Sequence, residues 1–296
     1  MTHVTDRLPK PDITNTAAVI VSYYPDEQFA ERLTRLSKQF AAVYWVENTP
    51  GAAVETKQRQ DDKISYLSQG LNAGLAAALN MGCEAALNTG FKWVVTFDQD
   101  SIVADDFLPQ QIARWQNSDP ATFILGCNYT DAKDSDSPRF KIGNHVVTCA
   151  TVITSGCLMC LPAWNELGKF RDDYFIDGVD HEICLRGRSR GLVVARHGQV
   201  LMKHCIGERA ANYRIFPYLH TPVRKYYGIR NGIRNIVQYA SKEPMWAARR
   251  CVTLSWEIVV ALLLEPDRRL KSRAIFRGLR DGVTASMGEA PAELSE

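Results

Sequence analysis

The sequence lacks the long apolar runs of a membrane-spanning chain and the cysteine density of a small disulfide-stabilised scaffold. A transmembrane helix needs about 18–20 consecutive apolar residues, whereas the best candidate, Ile258–Leu264, is short and preceded by Glu257. Hydrophobic residues make up 46% of the 296 positions and charged residues 23%, which excludes a disordered or collagen-like chain. The length allows one large domain or two small ones.

The eight cysteines are scattered among apolar residues, and we interpret them as reduced core residues of a cytosolic protein. Cys157 and Cys160 have the spacing of half a zinc site. No second pair stands at a matching distance, and residues three apart on a strand face opposite sides, so we do not expect zinc there. The segment Met1–Thr16 has no apolar stretch of the signal-peptide type, which predicts a cytoplasmic location.

The net charge of +2 hides an uneven distribution. From Lys203 to Asp281 there are 16 Lys and Arg against 6 Asp and Glu, so the rest of the chain is acidic. A basic C-terminal third indicates an anionic partner, such as a membrane surface, a phosphorylated lipid or a nucleoside diphosphate. There is no nucleic-acid-binding motif, and we expect no nucleic-acid partner.

Short apolar runs followed by turn residues predict buried strands at Ala17–Tyr23, Ala42–Val46, Ile64–Leu67 and Trp93–Phe97, and helical spacing predicts a helix over Leu71–Asn88. Strands that alternate with helices favour a parallel, doubly wound α/β sheet. Ligands of such sheets bind beyond the carboxyl ends of the strands. The polar residues that directly follow each strand are therefore the candidate site residues.

The second half of the chain has a less regular pattern. We expect a polar loop at Asn128–Asn144, strands at Val146–Leu161 and Leu192–Met202, and helices from Thr221 onward. The predicted helix Met245–Leu264 is strongly apolar, and basic residues lie within it and after it. Such a helix suits an anionic membrane surface; the alternative is packing on the catalytic domain or on a second copy of the chain.

The segment Phe97-Asp98-Gln99-Asp100-Ser101 follows directly after a predicted buried strand. Two carboxylates one residue apart repel each other unless a positive charge joins them. A divalent cation such as Mg²⁺ supplies that charge and keeps part of its coordination shell for substrate phosphates. For this pair taken alone, a solvated acidic turn is the alternative interpretation.

A set of motifs, taken in chain order, resembles the family 2 inverting glycosyltransferases of the GT-A fold, and this resemblance implies an α/β fold with a Rossmann-like mixed sheet flanked by helices and a C-terminal helical extension. The motifs are Val21-Ser22-Tyr23-Tyr24-Pro25, Val46-Glu47-Asn48-Thr49, Asn72-x-Gly74 with Asn80, Asp98-Gln99-Asp100, Ser155-Gly156, Asp177-Gly178-Val179-Asp180-His181-Glu182 and His204. The segment Arg224-x-Tyr226-Tyr227-x-x-Arg230-Asn231 is similar to the C-terminal signature of bacterial rhamnosyltransferases in this family. The resemblance covers about residues 17 to 283.

The resemblance implies a role for each matching residue. Asp180 would be the catalytic base, and Asp98, Asp100 and His204 would bind Mg²⁺ or Mn²⁺. The nucleotide-sugar contacts would be Ser22, Tyr23, Glu47, Asn72, Gly74, Asn80, Asp98 and Gln99. The acceptor contacts would be Ser155, Gly156, Asp177 and Glu182.

Structural roles remain as alternatives for several of these residues. The acidic residues 177, 180 and 182 could cap a helix, where carboxylates favour the N-terminal dipole, and Asp177 and Glu182 could instead support Asp180. His204 could be a histidine at a strand end whose ring nitrogens have hydrogen-bond partners within the protein. Glu47-Asn48 stands where the family commonly has Asp-Asn, which leaves the preference between uracil and thymine open.

The resemblance implies an inverting, metal-dependent enzyme that transfers L-rhamnose from dTDP-L-rhamnose. The acceptor would be a growing cell-surface polysaccharide or lipid-linked saccharide, such as O-antigen, lipopolysaccharide or capsule. Alternatives are transfer of a galactosyl, galactofuranosyl or glucosyl unit from a UDP-sugar, or a non-catalytic nucleotide-sugar-binding or membrane scaffold protein. A nucleotidyltransferase is disfavoured because Ser22-Tyr23-Tyr24-Pro25 lacks a glycine-rich phosphate loop.

These expectations divide the chain into three parts: a tail at residues 1–15, a catalytic domain at 16–207 and a basic helical region at 208–296. Within the catalytic domain, residues 16–101 would bind the donor and residues 102–207 the acceptor. We expect the helical region to contact the inner face of the cytoplasmic membrane or a second copy of the chain.

Overall fold

A mixed β-sheet flanked by helices forms the centre of the computed structural model, which describes residues 8–54, 56–58, 61–131, 138–143, 145–204 and 220–294. Its first half contains four parallel strands, as the alternating pattern predicts. They are β1 (Thr16–Ser22), β2 (Val43–Glu47), β4 (Ile64–Ser68) and β5 (Trp93–Asp98), with the short β3 (Thr56–Gln58) antiparallel at the edge. The strand order is β3-β4-β2-β1-β5.

After β5 the strands of the sheet no longer all run in the same direction. The strand β9 (Cys157–Cys160) is antiparallel to β5 and to β7 (Thr122–Asp131), while β10 (Val193–His204) runs parallel to β7. The short strands β6 (Ile102–Val103) and β8 (Val146–Thr148) pair antiparallel with β10. The whole sheet is therefore mixed rather than parallel throughout.

Five helices pack on this sheet: α1 (Phe29–Ser37), α2 (Leu75–Asn88), α3 (Phe107–Trp115), α4 (Leu161–Leu167) and α5 (Val179–Arg188). The helix α2 lies directly on β1. A Cβ atom at Gly82 would stand 2.4 Å from Cγ1 of Val19, so only glycine allows this close approach. This close packing of α2 on β1 places the first turn of α2 beside the carboxyl ends of the parallel strands.

Three further helices complete the described structure: α6 (Pro222–Tyr239), α7 (Pro244–Leu263) and α8 (Arg268–Thr284). The first begins at Pro222 because Oγ1 of Thr221 accepts a hydrogen bond from the amide of Arg224 and proline suits the first helical position. Close packing of α6 on α8 depends on glycine, since a Cβ at Gly282 would lie 2.6 Å from the carbonyl oxygen of Arg230. Within the described residues, no helix combines the length and the apolar character needed to span a bilayer.

Several predicted boundaries were wrong. The helix predicted from Leu71 begins at Leu75, and the strand predicted over Val146–Leu161 is two strands separated by residues 149–156. The strand β7 continues to Asp131, into the segment predicted as a loop, because β10 pairs with it as far as His204. Buried Asn128 within it donates to the carbonyl oxygens of Phe140 and Gly198. Its polar side chain thus has internal partners that the sequence pattern does not reveal.

The described cysteines are free thiols, and most of them are buried. Cys251 departs from the prediction of core residues, because it is exposed on α7. Cys205 lies outside the described residues.

Candidate active site

A cleft of about 740 Å³ opens where β1, β2 and β5 end. Its lining includes Ser22, Asn48 and Asp98, which stand at or directly after these strand ends. Its opposite wall is built from the loop before α5 and from the start of α6. The volume is in the range of about 300–1,000 Å³ that is usual for small-molecule sites.

Asp98, Asp100 and His204 converge at one side of this cleft. Asp98 ends β5, Asp100 lies in the turn after it, and His204 ends β10, so residues about a hundred positions apart meet at the sheet edge. Nε2 of His204 is 3.6 Å from Oδ2 of Asp98, and Nδ1 is 3.2 Å from Oδ1 of Asp100. One potential ligand atom from each of the three residues lies within 4.8 Å of the others.

The charges of this cluster are incompletely compensated within the described residues. The pKa of Asp98 is raised to about 6 as the net result of opposing effects: partial removal from water raises it most, attraction to His204 lowers it, and repulsion by Asp100 and Asp180 raises it. Burial alone would lower the pKa of His204, but the carboxylates of Asp100 and Asp98 outweigh it, so that pKa is raised. The site therefore favours an added positive charge.

A divalent metal ion fits this cluster. Oδ1 of Asp100 and Nδ1 of His204 are buried, and apart from the 3.2 Å ion pair between them neither atom has a well-directed hydrogen bond in the described structure. Buried polar atoms in native proteins nearly always have a partner, and a cation would provide one to both atoms together with Asp98. The three side chains could thus hold a metal ion.

The first turn of α2 and the loop before it form the floor of the cleft. Nδ2 of Asn48 donates to Oδ1 of Asn72, and the amide of Ala73 donates back to Oδ1 of Asn48, both at 2.9 Å. Gly74 has φ +84°, and a Cβ there would lie 2.8 Å from Phe175, so a larger residue would be strained. The arrangement turns a helix N-terminus, which attracts anions, toward the cleft.

The tip of β1 contributes Ser22 and Tyr23 to the cleft. Ser22 is buried, and its Oγ accepts a hydrogen bond from Nε1 of Trp45 at 2.8 Å. The amide of Tyr23 donates to Oε1 of Gln99 at 2.7 Å, which joins the turn after β1 to the turn after β5. Ser22, Tyr23, Asn72, Gly74 and Gln99 all line the cleft, as the predicted donor contacts require.

Two residues predicted as donor contacts do not line the cleft. Asn80 is buried on α2, where it donates to the carbonyl oxygen of Phe170 and to Oδ1 of Asp172. Glu47 is buried and bonds the hydroxyl of Thr49. Their polar groups have partners inside the protein and support the loops around the cleft, while the predicted donor contacts at these two positions stay predictions.

Asp180 lies across the cleft from the acidic cluster, in the first turn of α5. Its Oδ1 accepts a hydrogen bond from the amide of His181 at 2.8 Å. The loop before it has unusual backbone angles: Phe175 at φ +63° and ψ −68° is the centre of a γ-turn, and Asp177 has φ +59°. Such conformations are costly for residues other than glycine and persist only where surrounding contacts impose them.

Helix α6 imposes those contacts through two fully buried polar residues. Nδ2 of Asn231 lies within hydrogen-bonding distance of the carbonyl oxygens of Tyr174, Ile176 and Asp177, at 3.0, 2.8 and 2.7 Å. Nη2 of neighbouring Arg230 donates to the carbonyl oxygens of Asp173 and Tyr174, at 2.9 and 3.2 Å. We call this arrangement of Arg230, Asn231 and the carbonyls of residues 173–177 the loop clamp.

The residues predicted as acceptor contacts are mostly structural. Ser155 is buried and bonds Oγ of Ser101 at 2.7 Å, and a Cβ at Gly156 would meet Sδ of Met202 at 2.8 Å. Glu182 has no exposed surface, because it pairs with Arg186 and accepts from the hydroxyl of Tyr239. These three residues do not line the cleft, whereas Asp177 does, and the predicted acceptor contacts stay predictions.

Arg224 and His220 were missing from the predicted site. Nη2 of Arg224 is 2.8 Å from Oδ1 of Asp177, and its positive charge acts on Asp98 across the cleft. The signal for Arg224 was present, since it opens the C-terminal signature that runs to Asn231. His220 has no comparable pattern around it, and only the position of α6 brings it to the cleft.

Comparisons with known proteins agree with this architecture. Residues 46–175 match the sequence model of Glycosyl transferase family 2. The dTDP-rhamnosyl transferase RfbF of Shigella flexneri is 27% identical over 232 residues, which cover 74% of this chain and 78% of that protein.

Solved structures of TarS 1–349 from S. aureus are similar in fold. The complex with UDP-GlcNAc has a TM-score of 0.64 at 12% identity and covers 95% of this chain and 82% of its own. The complex with UDP has a TM-score of 0.63 at 11% identity and covers 91% and 81%. The predicted GT-A architecture, a mixed sheet flanked by helices, is thereby confirmed.

The cluster of Asp98, Asp100 and His204 predicts specific binding of a divalent ion. We expect the protein to bind one Mn²⁺, measured by electron paramagnetic resonance, and Asp100→Asn to weaken binding at least about tenfold because one of three ligands loses its charge. The exposed Asp105 serves as a control, since Asp105→Asn should leave the affinity unchanged. Equal affinities for all three proteins would show that the ion binds elsewhere.

The loop clamp predicts a large stability effect from a small change. Asn231→Asp keeps the size of the side chain but places a carboxylate oxygen against the carbonyl oxygens of residues 174, 176 and 177. We expect the free energy of unfolding in urea to fall by about 2–4 kcal/mol, since buried unsatisfied groups cost about 1–3 kcal/mol each. The exposed control Asn88→Asp should change it by less than about 0.5 kcal/mol. A similarly small effect of Asn231→Asp would contradict the clamp.

Proposed function

Because this chain is a glycosyltransferase with a family 2 domain, we propose that it transfers L-rhamnose from dTDP-L-rhamnose to a saccharide acceptor and inverts the anomeric carbon. The observation that carries this proposal is the position of Asp180 across one cleft from the cluster of Asp98, Asp100 and His204. A site for a charged leaving group and a base for an incoming hydroxyl thus face the same space.

The donor binds, in this proposal, with its diphosphate between the acidic cluster and the first turn of α2. Asp98, Asp100 and His204 would hold a Mg²⁺ or Mn²⁺ ion, which would supply positive charge near the negative charge that develops on the leaving diphosphate. Arg224 lines the same cleft and adds a second positive charge. Ser22, Tyr23, Asn72, Gly74 and Gln99 then contact the nucleoside and the sugar.

Asp180 acts as the general base. Its Oδ1 is occupied by the amide of His181, which orients the carboxylate and leaves Oδ2 for the proton of the acceptor hydroxyl. As that proton moves to Asp180, the hydroxyl oxygen bonds to the anomeric carbon, and the bond from this carbon to the diphosphate oxygen breaks. The electron pair leaves with the nucleoside diphosphate, and attack from the opposite face inverts the centre.

The identity of the donor rests on the Shigella flexneri relative, which is a dTDP-rhamnosyl transferase by name. A UDP-sugar is the second candidate, because the TarS structures of similar fold hold UDP-GlcNAc or UDP. In both cases the donor is a nucleotide sugar. The proposed acceptor is a growing cell-surface polysaccharide or lipid-linked saccharide, such as O-antigen, lipopolysaccharide or capsule.

The outer face of α7 supports a location at a membrane surface. Val252, Trp256, Val259 and Leu263 are exposed at helical spacing, with Val252 and Leu263 exposed by 71% and 61%. Exposed arginines flank this face at positions 249, 268, 269 and 273. An apolar helix face with basic neighbours fits the anionic inner leaflet of a cytoplasmic membrane. In this proposal, residues 208–296 carry the membrane contact and residues 16–207 the catalytic domain.

Replacement of the base tests the reaction. We expect Asp180→Asn to lower nucleoside diphosphate release in the presence of acceptor by about 10²–10⁴-fold, the usual contribution of a general base. The exposed control Asp119→Asn should keep full activity. The measurement uses dTDP-L-rhamnose and a set of UDP-sugars with Mn²⁺, and far-ultraviolet circular dichroism checks the fold.

Three outcomes would each refute one part of this proposal. Near-normal turnover by folded Asp180→Asn would remove the base, and turnover that is indifferent to EDTA would remove the metal. Faster turnover of a UDP-sugar than of dTDP-L-rhamnose would reassign the donor and leave the mechanism intact.

Sedimentation with vesicles tests the membrane contact. We expect binding to vesicles with anionic phosphatidylglycerol, weaker binding at high salt, and at least about a fivefold loss in Val252→Glu, because a charge on the apolar face opposes insertion. Val54→Glu is the matched control, since Val54 is 75% exposed on another part of the surface. A stable dimer in solution, with no vesicle binding, would assign the face to a second copy instead.

A further inference from the structure

A second cavity of about 270 Å³ lies between α5, α6 and α7. It shares Asp177, Asp180, His220 and Arg224 with the main cleft, so the two spaces meet at the proposed base. The metal cluster lines the main cleft but is absent from the lining of the second cavity among the described residues. A ligand in the second cavity would thus reach Asp180 from the side away from the metal cluster.

We propose that this cavity binds the terminal, uncharged sugar unit of the acceptor, and that Arg250 and Glu257 of α7 select it. The inference rests on the proposed function, because an inverting transfer brings the acceptor hydroxyl to the base from the side opposite the leaving group. The cavity is slightly smaller than the usual range for whole small-molecule sites, about 300–1,000 Å³. It therefore has room for one sugar unit and not for a chain.

The charges of the lining favour an uncharged ligand. The lining contains three Lys or Arg and three Asp or Glu side chains besides two histidines, and each of the Lys and Arg residues already has a carboxylate partner. Arg224 pairs with Asp177 at 2.8 Å, Arg250 with Glu257 at 2.7 Å, and Lys225 with Glu265 at 2.6 Å. An anionic ligand would have to displace one of these partners, whereas sugar hydroxyls can donate to the carboxylates and accept from the cations without breaking a pair.

Two glycines leave space along the wall of the cavity that α6 forms. Gly228 and Gly232 lie one turn apart and line the cavity, although glycine destabilises a helix interior relative to alanine. A Cβ at Gly228 would meet no atom within 4 Å, and a Cβ at Gly232 would approach Nη2 of Arg250 at 3.2 Å. The guanidinium of Arg250 thus lies close against Gly232, and the absence of a side chain there leaves Arg250 beside the cavity.

Filling the cavity tests the inference without relying on turnover. Saturation-transfer NMR measures binding of methyl α-L-rhamnoside, methyl β-D-galactoside and methyl N-acetyl-β-D-glucosaminide to the full chain with Mn²⁺ and dTDP present, so that the nucleotide occupies the main cleft. We expect at least one glycoside to bind, and Gly228→Leu to weaken its binding at least fivefold. Val237→Leu adds bulk to the exposed face of the same helix and should leave binding unchanged.

A second variant guards against misfolding of Gly228→Leu, which thermal unfolding would reveal. Glu257→Gln keeps the size of a half-exposed side chain and should also weaken glycoside binding several-fold, because a carboxylate acceptor becomes an amide. Absence of binding by all three glycosides, unchanged binding by both variants, or stronger binding of glucose 6-phosphate than of the glycosides would overturn the inference. Failure of the proposed function is distinguishable, since the unaltered protein would then not bind nucleotide sugars with Mn²⁺ by calorimetry.

Discussion

The carboxamide of Asn231 is the contact on which the geometry of the cleft depends. Its nitrogen approaches three carbonyl oxygens of a loop whose backbone is strained at Phe175 and Asp177. A strained loop keeps its shape only where fixed hydrogen bonds offset the cost. Because this loop leads directly into α5, the same contacts set the position of Asp180, and they make α6 part of the candidate active site.

The second organising feature is unbalanced charge at the edge of the sheet. Asp98 and Asp100 approach each other because β5 ends there, and His204 arrives from β10 at the far side of the fold. The pKa of Asp98 is raised first by partial removal from water and then by repulsion from Asp100 and Asp180, and attraction to His204 offsets only part of this rise. Arg224 offsets part of that cost from across the cleft, and its pairing with Asp177 connects the main cleft to the cavity under α7.

Sequence reasoning predicted which positions carry polar side chains more reliably than it predicted where those side chains point. Asn80, Glu47 and Glu182 belong to motifs that predict ligand contacts, yet the polar group of each side chain has its partners inside the protein. A motif indicates a position where a polar group is needed. Such a group can hydrogen-bond a buried loop of the protein as well as a ligand. Only the partner atoms distinguish these two roles.

The sequence by itself determined the strand and helix alternation of the first half, the acids at the end of β5 and the resemblance to family 2, since these depend on local periodicity and on short motifs. The tertiary structure decided the reversal at β9, the meeting of His204 with Asp98, and the cavity between α5, α6 and α7. These features depend on contacts between residues far apart in the chain. Their free energies come from packing and desolvation, which a local pattern does not encode.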